Sequence, residues 1–163
     1  MRIVFDTSAL LSLAAGGILE LVAEHVYCVI PTKVEEELLR ISLRSTFEGN
    51  LAKQVLVHIG EEIEIISTSW EYDGETACAR LAQSLQDVAF LVTDDTLAVS
   101  RIQKLCDKSL LFSPHIVHML YVFGILTQQQ AISVLERMCI KRDWKHNILY
   151  VQAQGLFRGF RPF

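Results

Sequence analysis

With 163 residues, 51% of them hydrophobic, the chain has the size of one domain and apolar material for one packed core. Its apolar runs, about four to six residues long, fall far short of the ~20 needed to cross a bilayer, and Asp6 breaks the first of them too early for a secretory leader, so no membrane span and a cytoplasmic location are expected. The net charge of −4 excludes a protein that coats nucleic acid with its whole surface, yet the charge is divided: residues 1–136 carry 18 Asp/Glu against 9 Lys/Arg, and residues 137–163 carry 1 against 6.

Short β-branched runs alternate with longer stretches of helical period, as when parallel strands are joined by crossover helices. In chain order the pattern predicts a strand over Arg2–Phe5, a helix over Thr7–Ala15 ended by Gly16-Gly17, and a strand over Val26–Ile30. A helix over Lys33–Ser45 follows, then Gly49-Asn50 as a terminator, a helix over Leu51–Ile59 and a strand over Glu64–Ile66. Next come a helix over Glu75–Leu85, a strand over Ala89–Val92, a helix over Leu97–Cys106 and a strand over Leu110–Phe112. Two helices close the series as a hairpin. Ser113-Pro114 supplies an N-cap and first position for one running to Phe123, and Thr127 caps one running to Ile140.

The strands are near-continuous apolar runs, so the expected fold is α/β: a three-layer α/β/α sandwich around a mostly parallel five-stranded sheet. Residues 1–140 form this domain and 141–163 a basic, aromatic tail, docked on it or in part disordered. Cys28, Cys78, Cys106 and Cys139 lie far apart among apolar residues, without metal-binding spacing, and read as buried hydrophobes.

Ligands of open parallel sheets bind beyond the C-terminal ends of the strands, where this chain concentrates acids. Asp6 follows the first strand, and Asp94 and Asp95 follow the fourth. Glu35, Glu36 and Glu37 occupy the first turns of the helix after the second strand. Periodicity does not place Glu75, which opens the helix leading into the fourth strand. Each acid has a plainer use: Asp6, Asp73, Asp94 and Asp95 can cap helices, and first-turn acids suit the helix dipole. Together at one rim they would repel unless a cation neutralised them, and a set of carboxylates without His or Cys favours Mg²⁺ or Mn²⁺ over zinc.

The set Ile3-Val4-Phe5-Asp6-Thr7-Ser8, Pro31 with Val34-Glu35-Glu36-Glu37-Leu38, Gly74-Glu75-Thr76-Ala77 and Val92-Thr93-Asp94-Asp95 resembles the PIN-domain family of ribonucleases, over Met1 to about Ile140. The resemblance implies an endoribonuclease that cleaves single-stranded RNA with Mg²⁺ or Mn²⁺ and leaves 5′-phosphate and 3′-hydroxyl ends. It carries the metal-binding and catalytic roles to Asp6, Glu37, Glu75, Asp94 and Asp95, with Ser8 and Thr93 as supporting polar residues. Glu36 replaces Glu37 if the helix register shifts by one. Of the aspartate pair, one residue is expected on the metal and the other through water. The resemblance also implies the toxin half of a toxin–antitoxin pair, with a separately encoded antitoxin and a homodimer as partners.

In the tail, Lys141, Arg142, Lys145, Arg158 and Arg161 lie among Trp144, Tyr150, Phe157 and Phe160, a mixture suited to single-stranded RNA, although the apolar members suffice to dock the tail and leave the cations solvated. His115 and His118, one turn apart, have no acid or Cys nearby in sequence and read as structural. Two rivals remain: a catalytically inactive PIN-like module that binds RNA or a protein, and a receiver-like or phosphatase-like use of the same rim. The receiver reading lacks the Lys it needs after the last strand, where Ser113-Pro114-His115 stands.

Overall fold

The strands are β1 (Arg2–Phe5), β2 (Tyr27–Pro31), β3 (Ile63–Ile66), β4 (Val88–Val92) and β5 (Ser109–Leu111). The helices are α1 (Thr7–Gly16), α2 (Leu19–His25), α3 (Thr32–Ser42), α4 (Phe47–His58), α5 (Gly74–Ser84), α6 (Val99–Leu105), α7 (Ser113–Val122), α8 (Gln128–Lys141) and α9 (Ile148–Leu156). These elements come from a computed structural model, which describes residues 2–68, 73–157 and 160.

All strand pairings are parallel, in the order β3-β2-β1-β4-β5. The first two connections step one way along the sheet and the last steps the other way, so right-handed crossovers place helices on both faces. α5 crosses from the edge strand β3 back over β2 and β1 to reach β4 and packs beside α6, whereas α1 packs against α4, α7 and α8. The result is the three-layer α/β/α sandwich. Ile3, Val4, Phe5, Val29, Ile30, Leu91 and Val92 of the three central strands are fully buried, as strands covered on both faces must be. Among the described residues no single helix is long and apolar enough to cross a membrane. α1 and α2 pass that test only as a pair, bent by 113°, and α1 lies in the core.

Reversal of the stepping direction leaves a crevice between β1 and β4, the place where open α/β sheets bind ligands. Register fixes what stands beside it. Phe5 pairs with Val92 and Val92 with Leu111, so Asp6 emerges level with Thr93, and Asp94 comes close to the start of α7.

Several local expectations needed correction. Gly49-Asn50 does not end a helix: α4 starts at Phe47, capped by Thr46, whose hydroxyl accepts from Gly49 N–H (3.1 Å). Gly49 is needed for close approach, since a Cβ there would lie 2.0 Å from the Arg44 carbonyl oxygen. Ser113 is the first residue of α7 and not its cap, because its hydroxyl is committed to Asp94. The short α2 has no capping side chain, and α9 opens on β-branched and aromatic residues although Asn147 caps it through Leu149 N–H (3.1 Å), so neither is expected from sequence as a helix. The ends of α1 and α8 do follow their local chemistry. Gly17 closes α1 in the left-handed region (φ 69°), and Thr127 and Gln130 form a capping box at α8.

Beyond α8 the chain returns to the body. α9 packs on α7, and Trp144, Leu149, Ala153, Phe157 and Phe160 are buried. All four cysteines are buried and free; burial pushes the Cys28 and Cys139 thiols up to about 12.

Candidate active site

At the C-terminal rim, beside the β1/β4 crevice, a cleft of about 340 Å³ is lined by Asp6, Glu37, Glu75 and Asp95, with Asp73, Glu48, Thr7, Ser8, Gly74, Arg101 and Arg142 also on its walls. Four segments far apart in sequence thus deliver four of the five expected acids to one place, and Asp94 is the one left out. Each arrives by a local device.

Asp6 sits between β1 and α1, where its carboxylate caps the helix through Ala9 N–H (2.8 Å). The Ser8 hydroxyl donates to both of its oxygens (2.8 and 2.9 Å), and the Thr93 hydroxyl donates across the crevice. Ser8 and Thr93 are thus the direct supports of this acid. Asp6 is only 3% exposed, and its desolvation pushes the carboxyl up to about 7, against the opposing effect of those hydrogen bonds.

Glu37 and not Glu36 faces the cleft. Its carboxylate accepts from the Thr7 hydroxyl (2.6 Å) and from Gly74 N–H (3.1 Å), tying α3 to the starts of α1 and α5. Glu36 is exposed and pairs with Lys33 (2.9 Å). Gly74 has no room for a side chain, because a Cβ would lie 2.6 Å from both Glu37 oxygens. Gly74→Ala is therefore expected to keep stability within about 1 kcal/mol, because only the end of a flexible side chain must yield, yet to lower any activity of the cleft by at least about tenfold. Urea melts and turnover measured on the same preparations check this, and equal turnover would remove Glu37 from the site.

Glu75, in the first turn of α5, forms an ion pair with Arg101 of α6. Asp73 caps α5 through Thr76 N–H (2.8 Å) and stands 3.6 Å from the same guanidinium. The Thr76 backbone N–H above all, with the Thr76 hydroxyl and Arg101, holds the Asp73 carboxyl below its usual range.

The two aspartates after β4 part company. The Asp95 carboxylate lines the cleft and accepts from Leu97 and Ala98 N–H (2.9 and 3.3 Å), while its own N–H donates to Thr93 (3.1 Å). Asp94, expected to share the site, turns into the protein: it is 8% exposed and accepts from Ser113 N–H (2.8 Å) and the Ser113 hydroxyl (2.5 Å). Desolvation raises its carboxyl above the usual range despite these bonds and one from Ser12. Asp94 N–H also donates to Ser8 (2.8 Å), so a buried polar chain runs from Asp6 through Ser8 to Asp94 and the start of α7. The split follows from different partners beyond the end of β4: Ser113 at the start of α7 takes Asp94, and the turn at Leu97 and Ala98 takes Asp95.

Of the tail cations, Arg142 lines the cleft, Lys141 and Lys145 do not, and Arg158 and Arg161 fall outside the described residues. His115 and His118 also stay away. His115 Nδ1 accepts from Phe112 N–H (3.3 Å), burial holds its pKa below the usual value, and His118 packs on Tyr121 and Phe157. Sequence reasoning missed Thr7, Glu48 and Arg101; Arg101 lies six residues beyond Asp95, a separation that signals nothing until α6 is packed against α5.

As placed, no three acids, His or Cys among the described residues stand close enough to ligate one ion. Instead, a guanidinium lies against Glu75. The donor chemistry nonetheless fits a hard divalent ion. Ionised Asp6 has about four acceptor sites for three donors. Glu37 takes two donors, and Asp95 keeps one oxygen clear of its backbone bonds. The chain matches no family model, no curated protein and no solved structure, so its own geometry is what its function must be read from.

Proposed function

We propose that the protein is a cytoplasmic endoribonuclease that hydrolyses single-stranded RNA with Mg²⁺ or Mn²⁺, as its resemblance to the PIN-domain family implies. One observation carries the reading: Asp6, Glu37, Glu75 and Asp95 reach a single cleft at the β1/β4 crevice from four separate stretches of chain. These residues would hold the ion. Bound among them, Mg²⁺ or Mn²⁺ supplies the charge that lowers the pKa of a water and stabilises the departing oxygen of a phosphodiester.

The remaining chemistry belongs to the chain. Ser8 and Thr93 fix the Asp6 carboxylate, and Thr7 and Gly74 fix that of Glu37, so the anionic groups are oriented before substrate arrives. Burial of Asp6 makes its ionised form costly, and a cation in the cleft would offset that cost. A toxin role with a separate antitoxin, and a homodimer, belong to the same reading and rest on the resemblance alone.

A second reading, a PIN-like module that binds RNA or protein without cutting, draws support from Arg101. Its guanidinium already neutralises Glu75, so the chain itself supplies one cation to the cleft. Cleavage of a labelled single-stranded RNA with added Mn²⁺, beside EDTA, separates the two. Cutting abolished by EDTA is the expected result. No cutting across varied RNAs, together with no Mn²⁺ binding by calorimetry, would leave the binding module.

A further inference from the structure

Among the described residues, Arg142 is the one residue of the basic tail segment that reaches the acidic cleft. Three features of its setting fix it there. It ends α8, donating its backbone N–H to the Met138 carbonyl (2.9 Å). The next residue, Asp143, takes a left-handed conformation (φ 52°), uncommon outside glycine, and Trp144 beyond it is 3% exposed. Glu48 of α4 accepts from Nη1 at 2.7 Å, and the side chain is only 17% exposed. Its Nε–H is buried and has no acceptor among the described residues.

We infer that Arg142 is the phosphate-gripping residue of the cleft, turning the exposed part of its guanidinium to a non-bridging oxygen of the RNA backbone while Glu48 holds it by Nη1. The inference rests on the nuclease reading for the identity of the strand. A planar guanidinium suits this task because its fork matches phosphate oxygens, and an acidic cleft needs a fixed cation to admit a polyanion. Arg101 is less suited, since its guanidinium already pairs with Glu75 and Asp73.

The test is anisotropy of a fluorescein-labelled polyuridine strand with natural phosphate linkages, titrated with the full-length protein in Ca²⁺ in place of Mg²⁺, to hold the strand uncut, over a series of salt concentrations. Arg142→Gln is expected to weaken binding about tenfold and to lower the salt slope by about 0.7, the loss of one phosphate contact on a single strand. Arg142→Lys is expected to keep the slope and lose several-fold in affinity, because an ammonium lacks the planar fork of the guanidinium. It also carries the test if the glutamine variant does not fold by circular dichroism. Glu48→Gln is expected to keep the slope. Wild-type binding with an unchanged slope and affinity in Arg142→Gln, or unchanged affinity in Arg142→Lys, overturns this assignment alone. A wild-type protein that binds no strand overturns the nuclease reading along with it.

Discussion

Asp6→Asn is expected to stabilise the metal-free protein at neutral pH while abolishing RNA cleavage. The carboxyl is buried, and its desolvation pushes it from 3.8 up to about 7. A carboxyl with a raised folded-state pKa binds more protons in the native state than in the unfolded state. Native stability therefore falls as pH rises through the window from 3.8 to about 7, and the loss is complete above it. At pH 7.5 the penalty is on the order of 2–4 kcal/mol. Asparagine imitates the protonated acid: its oxygen can accept from Ala9 N–H, and its amide can donate to the Thr93 hydroxyl, which turns to accept. Urea unfolding of the two proteins in EDTA between pH 4 and 8 should give curves that meet near pH 4 and separate above it, with the variant the more stable. Loss of an anionic group expected to hold the ion should cost at least about 10²–10³-fold in cleavage. A variant less stable than wild type at pH 7.5 would show that the hydrogen bonds to Asp6 outweigh its desolvation.

Asp94 and Asp95 are expected to fail in opposite ways. Asp94→Ala removes the acceptor of Ser113 N–H and its hydroxyl at the buried start of α7 and should cost about 3 kcal/mol, with Mn²⁺ affinity of the folded molecule within about threefold of wild type. Asp95→Ala loses a backbone cap at Leu97 and Ala98, about 1 kcal/mol, but takes a carboxylate from the cleft and should lower Mn²⁺ affinity and cleavage at least about tenfold. Paired urea melts and Mn²⁺ calorimetry decide the matter. Equal losses of metal affinity in the two variants would mean that Asp94 turns into the cleft when the ion binds.

Much of this was legible before folding. Five short apolar runs bounded by turns predict five strands, and their lack of a wet face predicts helices on both sides, because each residue's own periodicity reports which of its faces must leave water. The positions of Asp6, Asp94 and Asp95 just beyond strands β1 and β4 follow from the same reading, as do the caps at Gly17 and Thr127. Where a local signal has two uses, sequence alone went astray. Ser113 looked like a helix cap because nothing nearby in the chain announces Asp94 as its partner, and Gly49 looked like a terminator because the Arg44 carbonyl that excludes a side chain is a matter of packing.

Tertiary structure decided which neighbours meet. That β1 pairs with β4 puts Asp6 against Thr93, and the return of α5 from an edge strand brings Gly74 to Glu37 and Glu75 to Arg101. The choice of Glu37 over Glu36, the inward turn of Asp94 and the arrival of Arg142 from the far end of the chain belong to the same class. The composition and period of a segment determine which face it buries, since burial is a property each residue contributes on its own. Which segments lie side by side depends on pairing and packing across the whole chain, and a cleft made by four of them exists only once that pairing is complete.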